Sequence, residues 1–293
     1  MEFLPLIVLS GLQVGCVYAM MALSYFVIIN ATGIANFAQG EWMMLSAVFG
    51  AALLLASSLP WPLVFLVSII AATAISLLAE RLVIRPLERR NADINILVVA
   101  LLGVLVVVRH GAGLIFGREE MRLPGPFSDN PLILSDAVFI VPQTLFVFAM
   151  TAASFVGLYL FLHRTSFGQS FRIAAIDPIG AQIVGVDLGK VRFVSFAIGG
   201  LIAALLGWLY GPLSAAGNLM GEAPGVKGFI ALIIGSLVSP WGALVGGLLL
   251  GLFEVGAAFY IGSIYSEAIA FAMLMLFLFV RPQGIIPSRC RDS

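Results

Sequence analysis

Residues 3–29 read FLPLIVLSGLQVGCVYAMMALSYFVII, a run without one charged side chain. A helix crossing about 30 Å of hydrocarbon needs roughly 20 apolar residues at about 1.5 Å each. The run meets that length. It is too long for the apolar core of a secretory leader, and no Lys or Arg occurs before Arg81, so a spanning helix is expected instead.

The whole chain follows the same pattern. It has 293 residues, 61% hydrophobic and 10% charged, with a mean hydropathy of +1.10. Soluble domains are about 45–50% apolar and about 25% charged, so a soluble core cannot hold the excess. Apolar runs recur at approximately 5–29, 42–58, 61–79, 94–115, 138–162, 193–213, 226–238, 241–262 and 264–280. They are continuous rather than alternating, which predicts helices and not strands. The fold class is therefore all-α, a polytopic membrane bundle of eight or nine transmembrane helices. The 226–238 run is short and 42–58 is marginal, so either is a candidate broken or re-entrant segment.

Charge gives the sidedness. Basic residues gather in three groups: Arg81, Arg85, Arg89 and Arg90; Arg164, Arg172, Lys190 and Arg192; and Arg281, Arg289 and Arg291. Only Arg109, Arg118, Arg122 and Lys227 lie elsewhere. Placing all three groups in the cytoplasm predicts nine crossings, an outer N-terminus and an inner C-terminus. Eight crossings would move one terminus to the other side. The loop 117–137, with Glu119, Glu120, Asp129 and Asp136, then faces outward. A net charge of +0 argues against nucleic acid as a partner.

Small residues at i, i+4 spacing mark helix contacts, because lipid-embedded helices associate by close backbone approach. Gly11, Gly15 and Ala19 form one stripe; Gly199, Ala203, Gly207 and Gly211 a second; Gly242 and Gly246, beside Gly247 and Gly251, a third. They fit packing within the bundle or sliding against a second subunit.

Between two long apolar runs lies a polar module, RTSFGQSFRIAAIDPIGAQIVGVD (164–187). Ser166 is the expected N-cap of a first short helix, with Phe167, Phe171 and Ala174 or Ala175 on one face. Asp177 is the expected N-cap of a second, Pro178 its first residue and Gly185 its terminator. Ile179 and Ile183 share a face. Such an element needs a partner surface, either the bundle itself or a cytoplasmic protein.

Polar residues at membrane depth mark candidate pathways. In NATGIANFAQGE (30–41), Gly33 and Gly40 are expected to interrupt helix, while Asn30, Thr32, Asn36 and Gln39 offer donors and acceptors suited to a zwitterion. A cytoplasmic turn capped by its amides is the other reading, with Glu41 then a first-turn acid. Glu254, inside a span, is paired across a subunit interface or sits near a water-filled cavity. Arg109 and His110, near the end of the fourth span, are expected to snorkel outward. His110 and His163 have no metal-ligand company, Cys16 and Cys290 have no redox spacing, and no catalytic constellation is present, so neither metal nor catalytic residues are expected.

Six stretches taken together carry a family resemblance: GIANFAQGEWMML (33–45), RPLERR (85–90), the module at 164–187, SFAIGGLIAALLGWLYGP (195–212), GVKGFIALIIGSLVSPWGALVGGLLLGLFE (225–254) and RPQGIIP (281–287). The chain resembles, over nearly its whole length, permease subunits of ABC importers for branched-chain amino acids and related polar substrates. Its NFAxGE form is similar to the LivH type rather than the LivM-type companion. Gln39 stands where that family usually shows His.

The resemblance implies one transmembrane permease domain over residues 1–293, in the cell inner membrane, with a cytoplasmic coupling loop at about 163–192. In that loop Ser166, Gly168, Arg172, Asp177, Pro178 and Gly185 would engage an ATP-binding subunit. It implies as partners a LivM-type permease, two ATP-binding subunits and an extracytoplasmic binding protein docked on loops 117–137 and 214–225. ATP and Mg would sit on the partners. This chain has no G-x-x-x-x-G-K-[ST] loop, since Gly189–Lys190 is followed by Val191. An ion-coupled secondary transporter is the alternative. It would need more intramembrane acids than Glu254 and Glu267 provide. An intramembrane enzyme lacks a nucleophile and base.

Overall fold

The opening apolar run forms α1 (Leu4–Thr32), and every residue from Gly15 to Ile28 is buried. A helix apolar on all sides belongs inside a bundle, and α1 is the central post of this one. The computed structural model describes residues 4–127, 132–135, 138–281 and 283–286. Asp129, Asp136, Cys290, Arg289 and Arg291 lie outside the described residues.

Around α1 stand α2 (Gln39–Ala56), α3 (Trp61–Ala79), α5 (Ile94–Phe116), α6 (Pro142–Arg164), α9 (Leu188–Tyr210), α10 (Glu222–Gly235), α11 (Pro240–Tyr260) and α12 (Ser266–Val280). A π-helical turn (Glu80–Ile84) extends α3 into the short α4 (Arg85–Arg89). The polar module forms α7 (Ser166–Ile176) and α8 (Pro178–Ile183). In the outer loop, β1 (Leu132–Ser135) pairs antiparallel with β2 (Val138–Ile140). The span expected over 138–162 therefore begins only at Pro142, whose ring suits a first helical turn.

The small-residue stripes interlock within the chain. A Cβ added at Gly15 would stand 2.8 Å from the Leu248 Cα, and one at Gly251 would strike the Gly15 backbone. The α1 and α11 stripes thus pack against each other, antiparallel. On α9, Gly207 lies against the Met43 carbonyl of α2. Close backbone approach replaces hydrophobic exclusion where the solvent is lipid.

Among the described residues, eight helical segments are long and apolar enough to span. The segment expected at 226–238 is α10, with 14 residues, about 21 Å long. It is too short alone. Its C-terminal end nonetheless joins the cytoplasmic side: the Asn30 side chain at the foot of α1 donates to the Leu237 carbonyl at 2.6 Å. The Ile285 N–H, beyond α12, donates to the Ile234 carbonyl at 3.1 Å. The approach to α10 starts outside, where Met121 of the outer loop bridges Ala216. A non-helical lead and a short helix together make the ninth crossing. Nine crossings put the N-terminal end of α1 and the C-terminal end of α12 on opposite faces of the bundle.

Candidate functional site

The chain turns at Gly33, whose φ of +69 favours glycine, and re-enters the bundle before α2 begins. Gln39, at the head of α2, donates to the Ser24 carbonyl of α1 at 3.3 Å, two turns above the α1 foot. Gly40 does not interrupt helix. It sits in the first turn of α2, backbone to backbone with Gly221 at the head of α10, where no Cβ fits on either side. Two helix N-termini therefore meet inside the membrane. Their partial positive ends favour carboxylates, and each supplies one: Glu41 and Glu222.

Arg109 joins the two. Its Nε and Nη2 donate to Glu41 Oε1 at 3.0 and 2.8 Å, and its Nη1 to Glu222 Oε2 at 3.2 Å. Glu41 is 1% exposed. Arg109 does not snorkel outward as the sequence predicts. The buried Glu41 carboxylate, with the Glu222 carboxylate beside it at the head of α10, is a stronger draw for a planar guanidinium than the interface several residues away.

The expected pathway residues separate into three places. Asn30 and Thr32 are at the cytoplasmic foot of α1, not at membrane depth, where Thr32 Oγ1 donates to the Ile28 carbonyl at 2.7 Å. Both line a cytoplasmic cavity of about 520 Å³ shared with Glu88, Ala174, Pro178 and Arg192. Asn36 and Gln39 are wholly buried. Asn36 Oδ1 accepts from the Ala38 N–H at 3.1 Å, while Asn36 Nδ2, Gln39 Oε1 and Glu41 Oε2 have no hydrogen-bond partner among the described residues. Glu254 forms a second buried centre: its Oε1 receives the Lys227 ammonium at 2.6 Å and the Ser266 hydroxyl at 2.5 Å. Its pairing lies within this chain, not across a subunit interface, because α10 brings Lys227 beside α11. Lys227 also lies 5.8 Å from the Tyr18 ring centre.

The cytoplasmic module is built by caps. The cap of α7 is Thr165, not Ser166: Thr165 Oγ1 accepts from the Gly168 N–H at 2.9 Å. Three residues separate the two, the usual reach of a capping hydroxyl. Asp177 Oδ1 accepts from the Ile179 N–H at 3.0 Å and caps α8, with Pro178 first in that helix. Gly185, at φ +86, closes it. Gly168 lies so close to the Phe161 carbonyl of α6 that a Cβ would collide. Phe171, Ala174 and Ala181 face inward and are buried. Ile176, Ile179, Ile183 and Val184 stay exposed at 85%, 75%, 81% and 69%, and Arg172 beside them is exposed.

Just beyond the module, an ion pair that sequence reading missed ties the start of α9 to the α3–α4 corner. Glu80, in the π-helical turn, is 1% exposed and accepts from Arg192 Nε at 2.8 Å. Arg192 Nη1 also pairs with Glu88. A π-turn places its extra residue where a regular helix would not. Arg109, Glu222, Lys227 and Glu80 all shared one signal, a charge inside or beside an apolar run.

The branched-chain amino acid transport system permease component family matches residues 7–278. The chain belongs to that family. BraD of Pseudomonas aeruginosa, a high-affinity branched-chain amino acid transport system permease, is 32% identical, covering 94% of each chain. LivH of Salmonella typhimurium is 29% identical over 94% of this chain and 93% of its own. Among solved structures, PsaBC from Streptococcus pneumoniae in complex with Fab matches at a TM-score of 0.47 and 13% identity, covering 94% of this chain and 91% of that one. Membership makes the chain an ABC transport permease, multi-pass in the cell inner membrane, as the resemblance implied.

Proposed function

We propose that this permease imports branched-chain or related small polar amino acids, driven by ATP hydrolysis on partner subunits that grip α7 and α8. The exposed ridge Ile176, Ile179, Ile183 and Val184 carries the reading. It stands on two capped helices on the arginine-rich side, where no lipid core covers it. Contiguous exposed apolar residues of this kind mark protein contacts. Arg172, Asp177, Pro178, Gly185, Ser166 and Gly168 form or flank that surface and are its coupling residues.

Each part has one task. The partner pair, which carries ATP and Mg, closes and opens. The module transmits that motion through Gly168 to α6 and through Arg192 to the α3–α4 corner. The bundle then shifts between two packings, a population shift driven by differential contacts in the two states. A LivM-type companion supplies the second half of the pathway, and an extracytoplasmic binding protein docks on 117–137 and 214–225. The domain is single over 1–293, with coupling at about 163–192. The amino-acid class rests on the relatives' names.

The test is reconstitution of the five-component system, this chain with its four partners, in liposomes with ATP on the cytoplasmic side. Labelled L-leucine is expected to accumulate only with hydrolysable ATP. Uptake by the permease alone under a proton or sodium gradient would establish the secondary-transporter reading instead.

A further inference from the structure

We propose that the groove between α10 and α12 binds a small zwitterion with an aliphatic side chain, on the route inward from the outer face. The proposal rests on the amino-acid reading above. The groove is a cavity of about 190 Å³ lined by Glu222, Val226, Lys227, Ile230, Glu267 and Phe271, with Ala223 and Ala270 at its small walls. It is well below the roughly 300–1,000 Å³ of drug-sized pockets, which favours a ligand of amino-acid size.

Three observations give its chemistry. First, the Glu222 side chain is 59% exposed beside Arg109 of a spanning helix, and Glu267 is also exposed. Carboxylates bared to lipid at that depth cost several kcal/mol, so water or a companion subunit must lie along this face. Second, an ammonium has three donors. Lys227 gives one to Glu254 and one to Ser266, which leaves one for a ligand carboxylate. Third, the acids Glu41, Glu222, Glu254 and Glu267 outnumber the bases Arg109 and Lys227. Glu222 and Glu267 therefore hold negative charge for a ligand ammonium, while Val226, Ile230 and Phe271 form the apolar wall.

The groove is also reachable. An outer cavity of about 500 Å³, lined by Arg118, Glu120, Ser214 and Asn218, shares Ala223 with it. A solute entering from outside meets this polar cavity, then the groove. The wholly buried Asn36 and Gln39 do not line the groove.

The experiment uses the purified complete complex, without binding protein, and measures saturable binding of tritiated L-leucine. Wild type is expected to bind. 4-Methylpentanoate, lacking only the ammonium, and L-leucine amide, lacking the carboxylate, are expected to compete at least about tenfold more weakly, the loss of one charge-assisted contact. Glu267→Gln, at an exposed site, is expected to weaken binding by about tenfold. Ala223→Trp is expected to abolish it by filling the groove. Leu278→Trp, on the same helix but outside the groove, is expected to bind like wild type. A complex that imports leucine in liposomes yet binds it unchanged in Glu267→Gln and Ala223→Trp overturns the groove alone. A wild-type complex that imports no amino acid overturns the preceding reading and the zwitterion with it.

Discussion

The meeting point of α2 and α10 and the α7–α8 module are both made of helix ends, yet they satisfy those ends in opposite ways. Inside the bundle, Gly40 and Gly221 bring two N-termini into backbone contact, and Arg109 links the carboxylates beside them. Nothing there can move without stranding a charge. On the cytoplasmic side each helix has its own cap, Thr165 or Asp177, while the apolar ridge beyond stays bare. Lipid supplies no hydrogen bonds, so the membrane-embedded ends must be satisfied by the fold. The cytoplasmic ends are met by their own caps, which leaves the ridge beside them free of the bundle. One region is closed on itself; the other leaves an apolar ridge exposed.

Substitutions can break that contrast, and the largest effect falls on the glycine contact. Gly40→Leu or Gly221→Leu would drive a side chain into backbone. Neither variant is expected to yield monodisperse protein by size-exclusion chromatography in detergent. Next is Arg109→Met, which leaves Glu41 buried and unpaired. A buried pair broken on one side costs about 3–5 kcal/mol, and thermal melts of the detergent-solubilised complex are expected to show that loss. Glu41→Gln in the same background is expected to restore part of it.

In the module the prediction reverses: function falls while the fold persists. Arg172→Glu combined with Asp177→Ala is expected to abolish ATP-driven uptake with normal membrane insertion. Normal substrate-stimulated ATPase in that double variant would count against coupling at this site. A smaller effect is expected of Thr165→Val, which removes one cap worth about 1 kcal/mol, read as increased amide exchange in α7. The smallest is a pH effect at Asp187, which caps α9. The backbone N–H of Lys190, received by its carboxylate, is the largest cause holding its pKa below the usual aspartate value. A depressed folded pKa means the contribution is complete above the ordinary aspartate value and is lost as pH falls through the lower folded one. Wild type should therefore lose stability relative to Asp187→Asn as pH falls below about 4, measured by melting on both proteins.

Much of this was legible one residue type at a time. Apolar runs longer than a bilayer is thick have one stable form, and basic clusters have one preferred side. The spans, the Asp177–Pro178 start of α8 and the Gly185 stop were therefore readable in order along the chain. So was the family, from six short stretches. These signals are local or compositional: each depends on a residue and its near neighbours.

What the sequence could not decide was which distant charges meet. Arg109 and Glu41 lie in different helices, as do Lys227 and Glu254, and Arg192 and Glu80. A charge near a span end has two ways to lower its energy, outward to water or inward to a counter-ion. Only the packing of α1 against α11 and of α2 against α10 places a counter-ion within reach. The same packing moved Asn30 and Thr32 to the cytoplasmic cavity, enclosed Asn36 and Gln39, and left Glu222, Lys227 and Glu267 around an open groove. Hydrophobicity sets what enters the membrane, and the close approach of small residues sets what the polar groups find there.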